Sequence, residues 1–452
     1  MAGVITPDVI VIGAGCAGLA AAVRLTRRGA RVLVLEARAR LGGRATAFSD
    51  RDTGELVDNG QHVLLGCYTD TFAFLGEIGA LGNVRVPPQL GVTLIDSSGR
   101  RSRLSCPALP SPLHVLAGVM EWDALSWRDR LSVVKMASPI GIARRELRPG
   151  ATRKAASPGE TVENWLIRNG QTPRIRELLW DPLALAALNQ MPDQAAAPVF
   201  ARVLAEMFGP DSRAAAIALP IRPLHLMYAE PAREYLERGG GVVRTGATAN
   251  VRVVDGAVAG VDVDGERLEA RQVVSAVPWF ALPDLFPDQP AALRGVVDRA
   301  RRTDASPIVT VNLWFDRLVM DEPFIGLPGR AMQWVFDKRL VFGDEASHLS
   351  LLSSGAASML GLTNGELTAL AQTELREAVP EFRSARVVHA TVVREPRATF
   401  SLAPGQPARP ASETGVRGLF LAGDWIDTGL PATIEGAVRS GHRAADLAAV
   451  ER

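Results

Sequence analysis

The sequence has few cysteines, tyrosines and histidines. Its three cysteines in 452 residues, Cys16, Cys67 and Cys106, are odd in number and widely spaced, so neither a disulfide framework nor a CxxC metal site is expected. A reducing compartment is the simpler setting. The six histidines, His62, His114, His225, His348, His389 and His442, are scattered without ligand spacing, and no metal site is expected from them. Net charge is scarce as well: 50 basic and 49 acidic side chains leave +1, which argues against bulk attraction to nucleic acid. Near the start, the uncharged run Val9 to Val23 falls short of the roughly 20 apolar residues a spanning helix needs, and Met1 to Pro7 lacks the basic segment of a signal peptide. What the chain does have is 47% hydrophobic residues and, at roughly 100–200 residues per domain, length for two or three domains with real cores.

The first forty residues read as strand, tight turn, helix, strand. Val9 to Ile12 is a continuous β-branched run suited to a buried parallel strand, Leu19 to Arg28 is alanine-rich and amphipathic, and Arg31 to Leu35 returns to strand. Between strand and helix stands Gly13-Ala14-Gly15-Cys16-Ala17-Gly18, and Glu36 follows at the end of the second strand. In such a βαβ unit Gly13 permits the turn, Gly15 lets the backbone approach a pyrophosphate, and Gly18 lets helix and strand pack closely. The helix start then offers unpaired N–H groups and a positive dipole end to the phosphates, and Glu36 accepts from ribose hydroxyls. Arg38 and Leu41-Gly42-Gly43-Arg44-Ala45 come next, a second glycine pair with an arginine for a phosphate.

Downstream, Val242-Val243, Val251 to Val254, Val258 to Val263 and Val273 to Val277 are short β-rich runs, with turns at Asp255-Gly256 and Asp264-Gly265, expected as a small sheet attached to the nucleotide domain. Leu419 to Ala422 reads as a further buried strand. After Gly423-Asp424-Trp425 and Gly429-Leu430-Pro431, a helix is expected from Ala432 to about Ala449, with proline in its first turn. Ala432, Gly436 and Ser440 recur at spacing four and make one face smooth enough for a flat ring or another backbone. The intervening stretches 105–221 and 291–404 differ in character and read as a second domain built from two insertions, leaving 1–104, 222–290 and 405–452 as the first.

The glycine motifs and their continuation after Glu36 resemble those of FAD proteins of the amine oxidase and carotenoid desaturase superfamily. Longer strings narrow the likeness: Val57-Asp58-Asn59-Gly60-Gln61-His62, Trp180 to Asn189, Gln333 to Asp337, Ala422 to Trp425, and Gly429 to Ala437. Together they resemble the hydroxysqualene dehydroxylase family over essentially the whole chain. The fold this implies is α/β, a Rossmann-type FAD-binding domain with an inserted, discontinuous α+β substrate domain. The activity it implies is replacement of the allylic hydroxyl of hydroxysqualene by hydride from reduced FAD, giving squalene in hopanoid biosynthesis, with the flavin recharged by a nicotinamide such as NADPH or another reductant.

Site roles follow from the same resemblance. Gly13, Gly15, Gly18, Glu36, Arg38, Gly43 and Arg44 would hold the dinucleotide, and Gly60, Gln61 and His62 would lie under the flavin ring. Gly423 and Asp424 would serve the ribityl or pyrophosphate region, with Thr433 and Ile434 at a helix start near the pyrimidine. Proton donation is open among Asp58, His62 and Asp427; His62 could instead bond the flavin, and Asp427 could instead cap the last helix. Trp425 is ranked before Trp180, Trp334 and Phe336 for facing a developing cation. Leu183, Leu185, Leu188, Met191, Phe200 and Met207 serve equally as tunnel lining or as core.

The partner expected is a long-chain isoprenoid, together with other squalene-pathway enzymes. Segment 112–148 mixes Leu113, Leu116, Trp122, Trp127 and Leu131 with Arg128, Arg130, Lys135, Arg144, Arg145 and Arg148, a pattern for helices at a membrane surface or for buried substrate-domain helices. A peripheral cytoplasmic location fits the first. The competing functions are an oxidative carotenoid-type desaturase, an amine oxidase, and a non-catalytic flavoprotein carrying isoprenoids. Against the amine oxidase stand the scarcity of tyrosine, with Tyr68, Tyr228 and Tyr235 alone, and the absence of a C-terminal cysteine for flavin attachment.

Overall fold

A computed structural model describes residues 7–450 apart from 88, 108, 110, 111 and 212. Residues 1–6 and 451–452, which belong to the segments expected to form the first domain, lie outside the described residues. Val9–Ile12 is the central strand of a five-stranded parallel sheet ordered Val242–Thr245, Val32–Glu36, Val9–Ile12, Gln272–Ser275, Leu419–Leu421. Its side chains alternate between two cores: Val9 and Val11 face the first helix, Cys16–Arg27, while Ile10 and Ile12 face the opposite layer. Burial on both faces is why these strands read as unbroken β-branched runs. The helix starts inside the glycine motif, earlier than the alanine-rich stretch suggests.

Two of the four downstream β-rich runs thus join the parallel sheet. Only Ala249–Val254, Ala257–Val263 and Glu266–Leu268 make the small antiparallel sheet, joined by turns in which Asp255, Gly256, Asp264 and Gly265 all take positive φ. Left-handed pairs of this kind match the twist of a two-residue hairpin. The last helix runs Ile434–Val450 and crosses the first so closely that a Cβ on Gly441 would come within 2.2 Å of the Ala17 carbonyl oxygen. Helix contact therefore rests on Gly441, and Pro431 lies before the helix instead of in its first turn.

A second sheet has seven strands, in the order Val387–Phe400, Ala305–Phe315, His348–Ser354, Trp334–Asp337, Phe324–Gly326, Gly91–Ile95, Arg101–Ser105. In the long strand, Val309, Val311 and Leu313 enter a core shared with Leu367, Ala371 and Leu375 of helix Asn364–Ala378. Ile308, Thr310, Asn312 and Trp314 alternate onto the other face. There they meet Gly60 and the hairpin of Ala47–Ser49 and Leu56–Asp58. The hairpin Gly91–Ser105 pairs with this sheet through Leu94 and Gly326, although all of it but Ser105 falls within the segment 1–104 assigned to the first domain. On that hydrogen bonding we propose moving the first boundary to about residue 90.

Candidate functional site

The glycine turn brings backbone close to backbone. Gly13 takes φ +102°, and a Cβ there would meet the Ala276 carbonyl oxygen at 2.9 Å; on Gly18 it would meet the Gly13 carbonyl oxygen at 1.9 Å. Gly15 differs, because its Cβ would touch nothing nearer than the Gly43 Cα at 3.8 Å. Internal packing demands glycine at 13 and 18. At 15 that side of the turn is open. Gly42 donates its N–H to the Ala14 carbonyl at 2.9 Å, so the second glycine pair lies across the first turn. Tyr228, buried, donates its hydroxyl to the Gly42 and Ala45 carbonyls and supports that loop from behind.

Glu36 is buried, and its carboxylate accepts from the Ala14 N–H at 2.8 Å and the Arg38 N–H at 2.9 Å. Two backbone donors hold the acid at the end of its strand beside the turn. The Arg38 side chain is exposed and reaches the Gly43 carbonyl at 3.2 Å. Arg44 pairs with the buried Asp424, donates to the Ala398 carbonyl and lies over the Trp279 ring. This joins the second glycine loop to the turn after Leu419–Leu421.

From the cradle the chain runs along the second sheet. Asn59 accepts from and donates to the Arg44–Thr46 backbone, and Gly60 sits against Ile308, Thr310 and Leu352. Asp58 is buried; one oxygen accepts from the Leu224 N–H at 3.1 Å and the other faces Lys338 Nζ at 3.1 Å. Lys338 also donates to Gln61 Oε1 at 2.6 Å, and burial pushes its ammonium below the usual lysine range. His62 donates from Nδ1 to the Gly60 carbonyl at 2.7 Å, and burial lowers its pKa, so the ring is neutral with Nε2 an acceptor.

The last helix opens on Thr433, whose Oγ1 accepts from the Gly436 N–H at 3.1 Å, the geometry of an N-cap. Asp427, considered for that cap, is exposed instead; it accepts from the Gly429 N–H at 3.2 Å and pairs with Arg409. Beside the helix start lies a narrow, mostly apolar cavity lined by Leu65, Cys67, Tyr68, Ala187, Val203, Leu430 and Pro431, with Glu206, Glu435 and Arg439 at its polar end. Ile434 is half-buried next to it; of the three tyrosines Tyr68 lines the cavity, while Tyr228 and Tyr235 are committed elsewhere.

Residues 16–449 match the family model described as flavin containing amine oxidoreductase. The chain is 32% identical over 447 residues to the hydroxysqualene dehydroxylase of Rhodopseudomonas palustris, covering 97% of each. It is 30% identical over 450 residues to that of Sinorhizobium fredii, covering 98% of this chain and 99% of the other. The chain belongs to the hydroxysqualene dehydroxylase branch of the flavin-containing amine oxidoreductases. It is a flavin-dependent oxidoreductase. A 15-cis-phytoene desaturase of Solanum lycopersicum is 25% identical over 452 residues, covering 96% of this chain and 76% of the other. An oxidoreductase structure from Methanosarcina mazei superposes with a TM-score of 0.74 at 19% identity, covering 98% of this chain and all of that one, which shows the shared fold.

Several expected site residues meet and others do not. Gly13, Gly15, Gly18, Glu36, Gly43, Arg44, Gly423 and Asp424 gather around the cradle, and Asp58, Gly60, Gln61 and His62 follow on. Asp427 stands apart on the surface. Trp425 and Trp180 are 3% and 1% exposed, with Nε1 bonded to the Val277 carbonyl and to Gln171, so both are core. Phe336 is likewise buried, and Trp334 alone of the four aromatics is half-buried. Leu185, Leu188, Phe200 and Met207 are core, whereas Leu183 is half-buried and Met191 exposed.

Lys338 escaped the sequence reading, since it stands 280 residues from Asp58 and its only local signal is its place after Trp334–Asp337. The scattered histidines also mislead. Among the described residues, Asp50, Asp52 and His389 bring ligand-type atoms within 4.8 Å of one another. Asp50 is already occupied by Thr53, Thr391, His389 and the Asp52 N–H, and so reads as a hydrogen-bonded knot. All three cysteines are unpaired, and burial raises their thiols, Cys16 and Cys106 to about 11 and Cys67 to about 12, which leaves them inert as nucleophiles.

Proposed function

We propose that this chain binds FAD and, with the flavin reduced, converts hydroxysqualene to squalene and water. Identity of 30–32% over nearly the whole length of proteins named for that reaction carries the reading. The residues present fit the cofactor. Gly15 and Gly43 leave a cradle that a side chain would fill, and the first turn of Cys16–Arg27 offers its N–H groups to a pyrophosphate. Glu36 is held for a ribose, Arg44 and Asp424 for the ribityl region. Gly60, Gln61 and His62 would flank the ring, with the capped start of the last helix at its pyrimidine. Arg38, exposed, would reach only the outer phosphate edge.

When bound, reduced flavin supplies the hydride that replaces the hydroxyl, and NADPH or another reductant restores it. The protein's own part is to exclude water, hold the alcohol in an apolar wall and govern the proton that leaves with the oxygen. His62 keeps its Nδ1 proton on Gly60 and orients the loop; Asp58 acts paired with Lys338; Asp427, wet and exposed, takes no part. Trp334 is the aromatic face available to a delocalised cation. Anaerobic mixing of photoreduced protein with hydroxysqualene tests the reading. Squalene should form as the flavin absorbance returns; persistent reduced flavin with no squalene overturns it. The likeness to phytoene desaturase supports an oxidative alternative, in which oxidised flavin would bleach on adding a less unsaturated polyene such as phytoene.

Delivery of an insoluble substrate would come through helices Leu113–Glu121, Trp127–Val134 and Ala137–Glu146. Trp127, Leu131 and Val134 are exposed along one helix, Leu113 is exposed nearby, and Arg128, Lys135, Arg144, Arg145 and Arg148 are exposed around them. Of the four acids in the segment, Asp129 is buried as part of a capping box and Glu146 is half-buried, while Glu121 and Asp123 are exposed and offset part of that charge. Among the described residues no helix is long and apolar enough to cross a membrane. A peripheral seat on the anionic inner face of the cytoplasmic membrane fits this patch.

A further inference from the structure

Lys338 is 1% exposed, yet all its bonding capacity is used. Its ammonium meets Asp58 at 3.1 Å, Gln61 at 2.6 Å and the Phe342 ring at 3.9 Å. A cation withdrawn from water is retained only when such partners replace its hydration. The partners are not spread over the fold: Asp58 and Gln61 bracket Asn59 and Gly60, and Gln61 donates onward to the His62 carbonyl at 3.2 Å. The same segment is tied at one end to the cradle, through Asn59 and Arg44, and continues to Leu65 and Cys67 in the wall of the cavity. It therefore traverses the whole distance between the phosphate turn and the last helix.

We propose that Lys338 is a positioning residue for the redox half of the site: its charge cancels that of Asp58, and its bond to Gln61 sets segment 58–62 as the wall against which the flavin ring rests. The proposal rests on the FAD reading above. A neutral pair leaves the ring's electron affinity to the helix start and the backbone. Breaking the pair from either side exposes the ring to one uncompensated buried charge, which acts strongly in a water-poor setting. A positive charge favours the anionic reduced ring and a negative one disfavours it.

The test is the two-electron midpoint potential of the FAD-loaded protein, measured by dye equilibration against wild type at the same pH: mildly alkaline for Lys338→Met, which keeps the freed carboxyl ionised, and mildly acidic for Asp58→Asn, which keeps the freed ammonium protonated. Lys338→Met should lower the preference for reduced over oxidised flavin about tenfold, or about 30 mV, and Asp58→Asn should raise it by a similar factor. Lys338→Arg and the double variant Asp58→Asn/Lys338→Met should stay near wild type. A role confined to folding would lower the melting temperature in both single variants without moving the potential in opposite directions. Should Lys338→Met not fold, Asp58→Asn and the double variant decide. Unchanged potentials in the single variants that fold overturn the proposal. Failure of wild-type protein to bind FAD, or to make squalene, would instead defeat the reading on which it rests.

Discussion

Along the parallel sheet, the groups that face the candidate site are backbone: the turn at Gly13 to Gly18, the crossing loop at Gly42-Gly43, and the N–H groups that hold Glu36. Where the seven-stranded sheet meets segment 50–62 the contacts are made by side chains, with Lys338 on Asp58, Trp314 on Glu55, and Thr391 and His389 on Asp50. The first arrangement needs only glycine at set spacing and is local in sequence. The second joins residues hundreds apart and depends on burial. One presents backbone, the other pairs charged and polar side chains in a buried interior.

The contrast can be tested in order of expected effect. Gly15→Val should weaken flavin binding about a hundredfold or more, because a branched side chain would fill the space left for the phosphates. Circular dichroism and absorbance at the flavin band check it, and the protein should remain folded because nothing internal lies within 3.4 Å of a Cβ there. Next comes a pH effect confined to the second sheet. Burial holds the His348 imidazole down at about 3 from an ordinary 6.5, so between those values only the unfolded chain takes up the proton. Stability should therefore fall as pH drops below 6.5, by up to about 1.4 kcal/mol per pH unit, and level off near 3. His348→Gln should lose that slope in denaturant titrations compared with wild type.

Smaller effects separate the regions further. Glu36→Gln keeps the shape but removes the charge that the Ala14 and Arg38 N–H groups and a ribose would share; FAD affinity should fall about tenfold by titration. The surface change Trp127→Glu/Leu131→Glu should shift unfolding by no more than about 0.5 kcal/mol while abolishing flotation on anionic vesicles. Flotation unchanged in that variant would remove the membrane seat and leave the cradle and the second sheet untouched.

Much of the cradle was legible because its chemistry is periodic and local. The run Val9 to Ile12, the glycine spacing and Glu36 name a βαβ unit by themselves, and the helix differs from expectation only in where it starts. The aromatic ranking was not legible: Trp425 and Trp180 look like site walls in a string of letters, but each spends its N–H inside the core. Asp427 sits near the flavin turn in sequence and on the surface in space. The turn at Gly429 takes up the slack, so Thr433 caps the helix in its place. Strand runs near 242 and 273 could not be assigned to the correct sheet, since a β-rich segment carries no mark of its partner.

By itself the sequence determined a near-neutral, apolar, cysteine-poor chain with a dinucleotide turn and a likeness to one flavoprotein branch. Those features lie in composition, spacing and continuous strings, which survive without knowledge of contacts. Only the tertiary structure decided that Asp58 pairs with Lys338, that His62 spends its Nδ1 proton on the Gly60 carbonyl, and that Thr433 caps the last helix. Each depends on which groups burial brings within hydrogen-bond reach, and desolvation has no signature in the order of residues.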